Sequence, residues 1–320
     1  MATTKAETTT TNGKRLEDWK NCNNNDKTTT VKMNSKITDY IIEKIIFLCG
    51  IIAIVFVVLI FGFLLKEGFA FFKEYGVFNF IFGKYWYPSS NPASYGVFSL
   101  IIGSLLVTLG AAIIAVPFGI MTALFIAELA PKGIRDILKS IVELMAAIPS
   151  VVLGFVGMVT LVPLVRSVLD IPTGLTAFSG SIVLGFMAMP TIVSISEDAI
   201  RSVPWQYKEG AFALGATKWQ TIRRVVLKAA MPGIIAAVML GIGRVIGETM
   251  AVLMVTGNAA AIPSSIFDPV RTLTATIAAE MGETVRGGLH YRALFGIGLV
   301  LFTITFIINF IADLFLNKKR

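Results

Sequence analysis

Residues 45–65 read IIFLCGIIAIVFVVLIFGFLL, 21 consecutive residues without a charge. A helix needs about 20 apolar residues to cross the hydrocarbon of a bilayer. Lipid offers no hydrogen bonds, so every backbone N–H and C=O must be satisfied within a helix or a closed barrel, and a stretch this long is read as a helix. Five more stretches follow: 85–127, whose apolar part begins near Tyr95; 144–165; 171–196; 229–267, interrupted only by Arg244 and Glu248; and 293–312. The whole chain of 320 residues is 55% apolar and 15% charged, with a mean hydropathy of +0.76. Soluble domains run at about 45–50% apolar and about 25% charged. The fold class is therefore all-α, a polytopic membrane bundle of six transmembrane helices. The same figures exclude a disordered chain, a collagen and a disulfide-stapled secreted domain. Cys22 and Cys49 sit in a polar tail and an apolar run, which gives no disulfide framework. One histidine, His290, leaves no histidine-based metal cluster or triad to build, and no metal site is expected.

A net charge of +8 would suit nucleic acid or an anionic surface if it were clustered on a soluble domain. Its distribution points elsewhere. Eight Lys/Arg precede residue 45, three (Lys132, Arg135, Lys139) lie in the second loop, six between 201 and 228, and three at the C-terminus. That places 20 basic residues on one side of six spans and seven on the other, with Arg244 inside a span. Cytoplasmic loops carry the excess of Lys and Arg, so both termini are expected in the cytoplasm. The charge is topology, and nucleic-acid binding is not expected. The chain is read as a multi-pass membrane protein with both termini cytoplasmic, in contact with membrane lipid.

Residues 1–36 hold nine Thr and six Asn and cannot bury a core, so a disordered cytoplasmic tail is expected over 1–40. No short apolar core follows a basic start there; the first span is read as an uncleaved signal anchor rather than a cleaved leader. With its following loop, rich in Phe, Tyr and Trp, it makes a segment 41–94, and the aromatics are read as an interfacial belt. A core of spans follows over 95–316, with a basic C-terminus at 317–320. Glu128, Glu197 and Asp198 near span ends are expected to be solvated or paired in loops, and His290 to be interfacial. Pro117, Pro149 and Pro163 are expected to kink or end helices. There is no G-x-x-x-x-G-K-[ST] phosphate loop, no G-x-S-x-G and no H-E-x-x-H. If the protein uses ATP, another chain hydrolyses it.

The basic loop 201–228 is ordered by local signals. Ser202 can cap a helix that tolerates Pro204 in its first turn. Gly215 suits the left-handed position that ends a helix. Thr217 with Gln220 three residues on makes a capping-box pattern. The result is a helix–Gly–helix knuckle; an ordinary interfacial hairpin is the alternative. The run Glu209-Gly-Ala211-Phe-Ala-Leu-Gly215-Ala216-Thr217-Lys-Trp-Gln220-Thr-Ile222 resembles the EAA loop of ABC-importer permeases. The resemblance implies that this loop docks into a cleft on an ATPase subunit, with Glu209, Ala211, Gly215, Ala216, Thr217 and Gln220 as the coupling residues. Gly210 departs from the usual Ala, and Lys228 stands where many relatives have proline.

The fifth stretch carries Gly241-Ile-Gly243-Arg244-Val-Ile-Gly247-Glu248-Thr249-Met-Ala-Val252. Arg244 and Glu248 are four apart and would share one helix face. Charges are costly in lipid and normally face a cavity or a partner. Gly243 and Gly247 make a small-xxx-small pattern that admits close helix contact. One reading is a structural Arg–Glu pair; the other is a polar path in which the planar fork of Arg244 meets a tetrahedral oxyanion. This run resembles the G-R-A-[IL]-G-E-T-M-A-V signature of PstC-type permeases of phosphate ABC importers. Residues 143–155 (ELMAAIPSVVLGF), 86–88 (WYP), 127–131 (AELAP) and 298–306 (GLVLFTITF) are similar to other motifs of that family. The likeness spans about residues 40–320.

The resemblance implies the type I ABC-importer permease architecture (MetI-like) in the cytoplasmic membrane of a prokaryote. The polar path is read through Arg244, Glu248 and Thr249, with Ser150 beside Pro149 as a further lining residue. It implies four kinds of partner: a second permease of the PstA type, two copies of a cytoplasmic PstB-type ATPase, an extracytoplasmic PstS-type binding protein, and phosphate. No cofactor is expected on this chain; ATP belongs to the ATPase subunit, and the chain is expected to be a transport subunit rather than an enzyme. Sulfate and molybdate are also tetrahedral and stay open as substrates. An ion-coupled secondary transporter using Arg244 and Glu248 as a relay is a further alternative.

Overall fold

A computed structural model of the protein describes the backbone of residues 7–317 and the side chains of residues 39–311 and 314. The first helix, α1 (Glu7–Tyr75), contributes to two compact units, residues 1–63 and 64–320. In the first unit every side chain from residue 39 to residue 60 is exposed, as suits a span facing lipid. The helix includes residues 7–38, where composition predicts disorder, and runs from there without a break into the first span. The expected basic ending at residues 318–320 lies outside the described residues.

In the second unit, α2 (Val77–Phe82) leads into a two-stranded antiparallel pair, β1 (Trp86–Tyr87) and β2 (Ser94–Tyr95). The span α3 (Phe98–Leu124) ends in a π-helical turn, Phe125–Leu129. Next come α4 (Lys132–Ala147), α5 (Ser150–Val156), a π-turn at Gly157–Leu161 and α6 (Val162–Leu169). The span α7 (Ala177–Arg201) is followed by α8 (Trp205–Ala213), α9 (Lys218–Thr221), a third π-turn at Ile222–Val226, and α10 (Leu227–Ile246). Two short helices, α11 (Met250–Val255) and α12 (Leu273–Glu280), precede α13 (Leu289–Asn317).

Among the described residues six helices are long and apolar enough to cross a membrane: Asp39–Tyr75, Phe98–Leu129, Ser150–Leu169, Ala177–Arg201, Lys218–Ile246 and Leu289–Ile311. They correspond to the six apolar stretches, with two corrected boundaries. The third span starts after Pro149, which disfavours helical backbone at Ile148 and separates α4 from α5. The fifth ends at Ile246, and the apolar residues beyond it form α11 and a loop instead.

The spans pack closely where side chains are small. A Cβ at Gly110 on α3 would fall 2.8 Å from the Cβ of Ser181 on α7, and one at Gly241 on α10 would fall 2.5 Å from Ile192 of α7. So α7 is held closely against both α3 and α10, and Ile192 meets Gly119 of the one and Gly241 of the other. The aromatic loop divides. Phe71, Phe80, Trp86 and Tyr95 are buried in a core with Leu294 and Ile297 of α13, while Phe69, Phe78, Phe82, Tyr85 and Tyr87 are exposed. The belt reading holds only for the exposed half; the alternation Tyr85-out, Trp86-in, Tyr87-out is that of a strand with one face on a core.

Candidate functional site

The knuckle on the basic side closes as its sequence pattern predicts. Gly215 has φ 78° and ends α8. Its N–H donates to Phe212 O (2.9 Å) and that of Ala216 to Ala211 O (3.0 Å), the paired bonds of a Schellman stop. Thr217 then caps α9: the Gln220 N–H donates to Thr217 Oγ1 (3.3 Å) and the Thr217 N–H to Gln220 Oε1 (2.9 Å). Ser202 does not cap α8. It is still in the last turn of α7 and its hydroxyl donates back to Ala199 O (2.8 Å). Ala211 is buried and Ala216 half-buried. Glu209, Leu214 (89% exposed), Thr217 and Trp219 face outward, a projecting surface with an apolar tip.

A clamp holds this knuckle from below. Lys208, next to Glu209, donates to Glu128 Oε1 at 2.6 Å, with 14% and 10% of the two side chains exposed. Its Nζ also lies 5.4 Å from the Trp205 ring centroid. Arg135 stitches the π-turn that carries Glu128, donating to the carbonyls of Ile126 (3.0 Å), Ala127 and Ala130 (both 3.4 Å). Near by, Glu197 is almost fully buried between Lys139 (3.2 Å) and Arg201 (3.0 Å). The hydrogen bond that Lys139 donates to Glu197 holds its ammonium above the usual lysine range. Both glutamates are thus paired rather than solvated, while Asp198 is mostly exposed. Sequence reading did not find Lys208 or Arg135, because their partners lie at other positions that no local pattern ties to them.

Arg244 and Glu248 part company. Gly247 ends α10, Glu248 lies in the break, and Thr249 is the N-cap position of α11 with its hydroxyl donating to Gly247 O (3.2 Å). Glu248 Oε1 accepts from the Ala251 N–H (3.3 Å), an anion at a helix start. Among the described residues no ion pair joins Arg244 to Glu248. The shared face needs continuous helix, and the helix stops between them. Arg244 is exposed and donates to Thr191 Oγ1 of α7 at 3.5 Å. Gly243 and Gly247 are open: a Cβ at Gly243 would meet nothing within 4 Å, and one at Gly247 only backbone of its own turn. On α10 the closely packed glycines are instead Gly233 and Gly241, both against α7. Ser150 opens α5, half-buried, and no hydrogen bond connects it to Arg244. Its helix reaches the break indirectly, with Gly154 against Ala251 of α11.

On the aromatic side one carboxylate gathers three partners. Glu280, at the end of α12, accepts from Trp86 Nε1 on both oxygens (3.1 and 3.0 Å), from Arg271 Nη1 (2.7 Å), and shares a 2.8 Å bond with His290 Nε2. Arg271 Nε also donates to Asn258 O (3.0 Å). A cleft of about 410 Å³ opens beside this cluster, with Tyr87, Ser89 and Ser90 on its wall. His290 is therefore part of a polar cluster rather than simply interfacial. Glu280 carries no sequence signal, since Trp86 lies 194 positions away.

Residues 115–320 match the family of the binding-protein-dependent transport system inner membrane component. The chain is 39% identical to the "Probable ABC transporter permease protein YqgH" of Bacillus subtilis over 86% of its own length and 90% of that protein's. It is 32% identical to the phosphate transport system permease protein PstC of Haemophilus influenzae (76% and 82% covered), and 35% identical to that of Mesorhizobium japonicum (75% and 79%). The fold is shared with a chain of the MetNI methionine ABC transporter: TM-score 0.54, 19% identity, 69% of this chain and 96% of that one. A bacterial ABC transporter that imports alginate gives a TM-score of 0.52 at 18% identity, with 69% and 78% covered. With six membrane-length helices, MetI-like packing and these relatives, the chain is a multi-pass membrane subunit that belongs to the family of inner membrane components of binding-protein-dependent ABC transport systems.

Proposed function

We propose that this chain is the PstC-type half of an ATP-driven phosphate importer. The observation that carries it is Arg244, a guanidinium in the last turn of a membrane span, exposed with no acidic partner and bonded only at its edge to Thr191 of α7 among the described residues. A charge in that position needs a water-filled path or a partner, and its planar fork of donors suits a tetrahedral oxyanion. The phosphate permeases among its relatives supply the substrate class. A PstA-type permease would cover the open α10 face, with Gly243 and Gly247 admitting its close approach. The basic side is the cytoplasmic one, from the 20-to-7 asymmetry. There the projecting knuckle, with Glu209 and Leu214, docks on one of two PstB-type ATPases, which bind and hydrolyse the ATP. A PstS-type protein delivers phosphate on the aromatic side. Closure of the ATPases moves the knuckle, and the spans alternate between outward and inward access. Glu248 and Thr249 shape the break below Arg244, and Ser150 lies along the same path.

Radiolabelled phosphate uptake by the reconstituted importer, with sulfate and molybdate as competitors, tests this reading. Arg244→Gln keeps length and some donors but loses the charge; uptake should fall by about 100-fold or more with assembly intact. Arg244→Lys keeps the charge without the fork and should be partly active. Because no ion pair ties Arg244 to Glu248, the glutamine variant strands no paired carboxylate. Full phosphate uptake by Arg244→Gln would sink the assignment.

A further inference from the structure

The break between α10 and α11 is held from outside itself. Glu248 lies between the two helices, outside the regular bonding of either. Its carbonyl accepts from Thr274 Oγ1 at 2.7 Å, from the first turn of α12. A carbonyl can only accept, so the single hydroxyl proton of Thr274 is committed to it. The neighbouring Thr272 hydroxyl, 3.2 Å away, must then donate to Thr274, while its own oxygen accepts the Ala275 N–H at 3.3 Å. The Leu273 N–H donates to Ser104 Oγ of α3 at 2.9 Å, so this end of α12 is anchored in the bundle. Thr272, Leu273, Thr274, Ala275 and Thr276 are all buried. At its other end α12 finishes in Glu280, the carboxylate that collects Trp86, Arg271 and His290 beside the outer cleft.

We propose that α12 is a strut, and that Thr274 is a positioning residue: through the Glu248 carbonyl it sets the break that follows Arg244 in register with the Glu280 cluster on the outer face. An eight-residue helix is about 12 Å long and stiff. Its two ends meet different parts of the transport cycle, the outer surface and the intramembrane break. Movement of the Trp86–His290 cluster on engagement of a partner is then passed to the backbone at Glu248 without any contact between that partner and Arg244. This deepens the importer reading and rests on it.

The test uses the complete importer in proteoliposomes, with four readouts: maximal uptake, half-saturating phosphate, basal ATPase, and ATPase stimulated by the loaded binding protein. Thr274→Val keeps the shape and loses the hydroxyl; Thr274→Ser keeps the hydroxyl. The valine variant should lose about tenfold in maximal uptake and in stimulated ATPase, the rate equivalent of one hydrogen bond. Half-saturation and basal ATPase should not change, and serine should restore stimulation to within about twofold. Wild-type stimulation in the valine variant, an equal fall in basal and stimulated rates, or an inactive serine variant would each overturn the strut. Should the valine chain not assemble, Glu280→Gln carries the same expectation from the other end, and full stimulation there overturns it. A wild-type importer whose ATPase is stimulated but which ignores phosphate would overturn the substrate assignment alone; the strut is then read from stimulation.

Discussion

The knuckle on the basic side and the Glu280 cluster are both joints, built on different principles. In the knuckle, Gly215, Thr217 and Gln220 close their bonds within a few residues, and one ion pair, Glu128–Lys208, fastens the result to the second span. In the Glu280 cluster no bond closes that locally: Arg271 lies nine positions from Glu280, His290 ten and Trp86 194. Glu280 joins residues from β1, the loop before α12, and α13. A joint made of local motifs keeps its shape when its surroundings move, which suits a part that transmits a push. A joint made of distant residues exists only while those segments stay together, which suits a part that reports their arrangement.

The contrast can be broken most severely at Glu280. Glu280→Ala leaves Arg271 and the buried Trp86 N–H without their acceptor, and removing one member of a largely buried charged pair costs about 3–5 kcal/mol. The thermal midpoint of the purified complex should drop by several degrees; an unchanged midpoint would mean that the cluster is incidental. Glu128→Lys or Lys208→Glu should each uncouple ATP hydrolysis from uptake, at a cost toward the lower end of the same range of about 3–5 kcal/mol. The charge-swapped double variant should recover at least half of the coupling. Recovery separates a clamp from a packing role, because only a clamp is indifferent to which partner carries which sign.

Smaller effects sharpen the local side of the comparison. Gly215→Ala places a Cβ at φ 78° and should cost about 1–2 kcal/mol, while Thr217→Ala removes the cap of α9 for about 1 kcal/mol. Uptake should fall modestly in both, with the ATPase still co-purifying; Gly215→Pro, which cannot reach positive φ, should abolish coupling. The smallest effect is expected at Asp268 in the loop before α12. The Ser264 hydroxyl and the N–H groups of Ser264 and Ser265 hold its carboxyl below the usual range. A lowered folded-state value stabilises above the unfolded pKa, and that contribution is lost as pH falls through the folded value. The acid limb of a stability–pH profile, below about pH 4, should therefore be shallower in Asp268→Asn. Identical limbs would show that the loop does not report on folding.

Much of the fold was legible in order along the chain. Span number followed from length and hydropathy, because lipid leaves a long apolar segment only one way to satisfy its backbone. The glycine stop and the capping box were legible because each closes within about five residues. Misreadings occurred where a local pattern was continued past a breaker: Arg244 and Glu248 share a face only if the helix passes Gly247, and the third span begins only after Pro149. Ser202 looked like a cap for the helix after it but was spent on the helix before it.

What the amino-acid order determined by itself is thus the part of this protein governed by short-range rules: six spans, their basic bias, the knuckle, and an arginine placed where lipid will not tolerate it alone. Tertiary structure alone decided which charges meet. Glu128 finds Lys208 80 positions away, Glu280 finds Trp86 194 positions away, and the Glu248 carbonyl finds Thr274. A buried charge or carbonyl requires a partner, but nothing in its neighbours along the chain says which one. Packing selects it, when small residues such as Gly110 and Gly241 let the helices approach closely enough for distant groups to come within hydrogen-bonding distance.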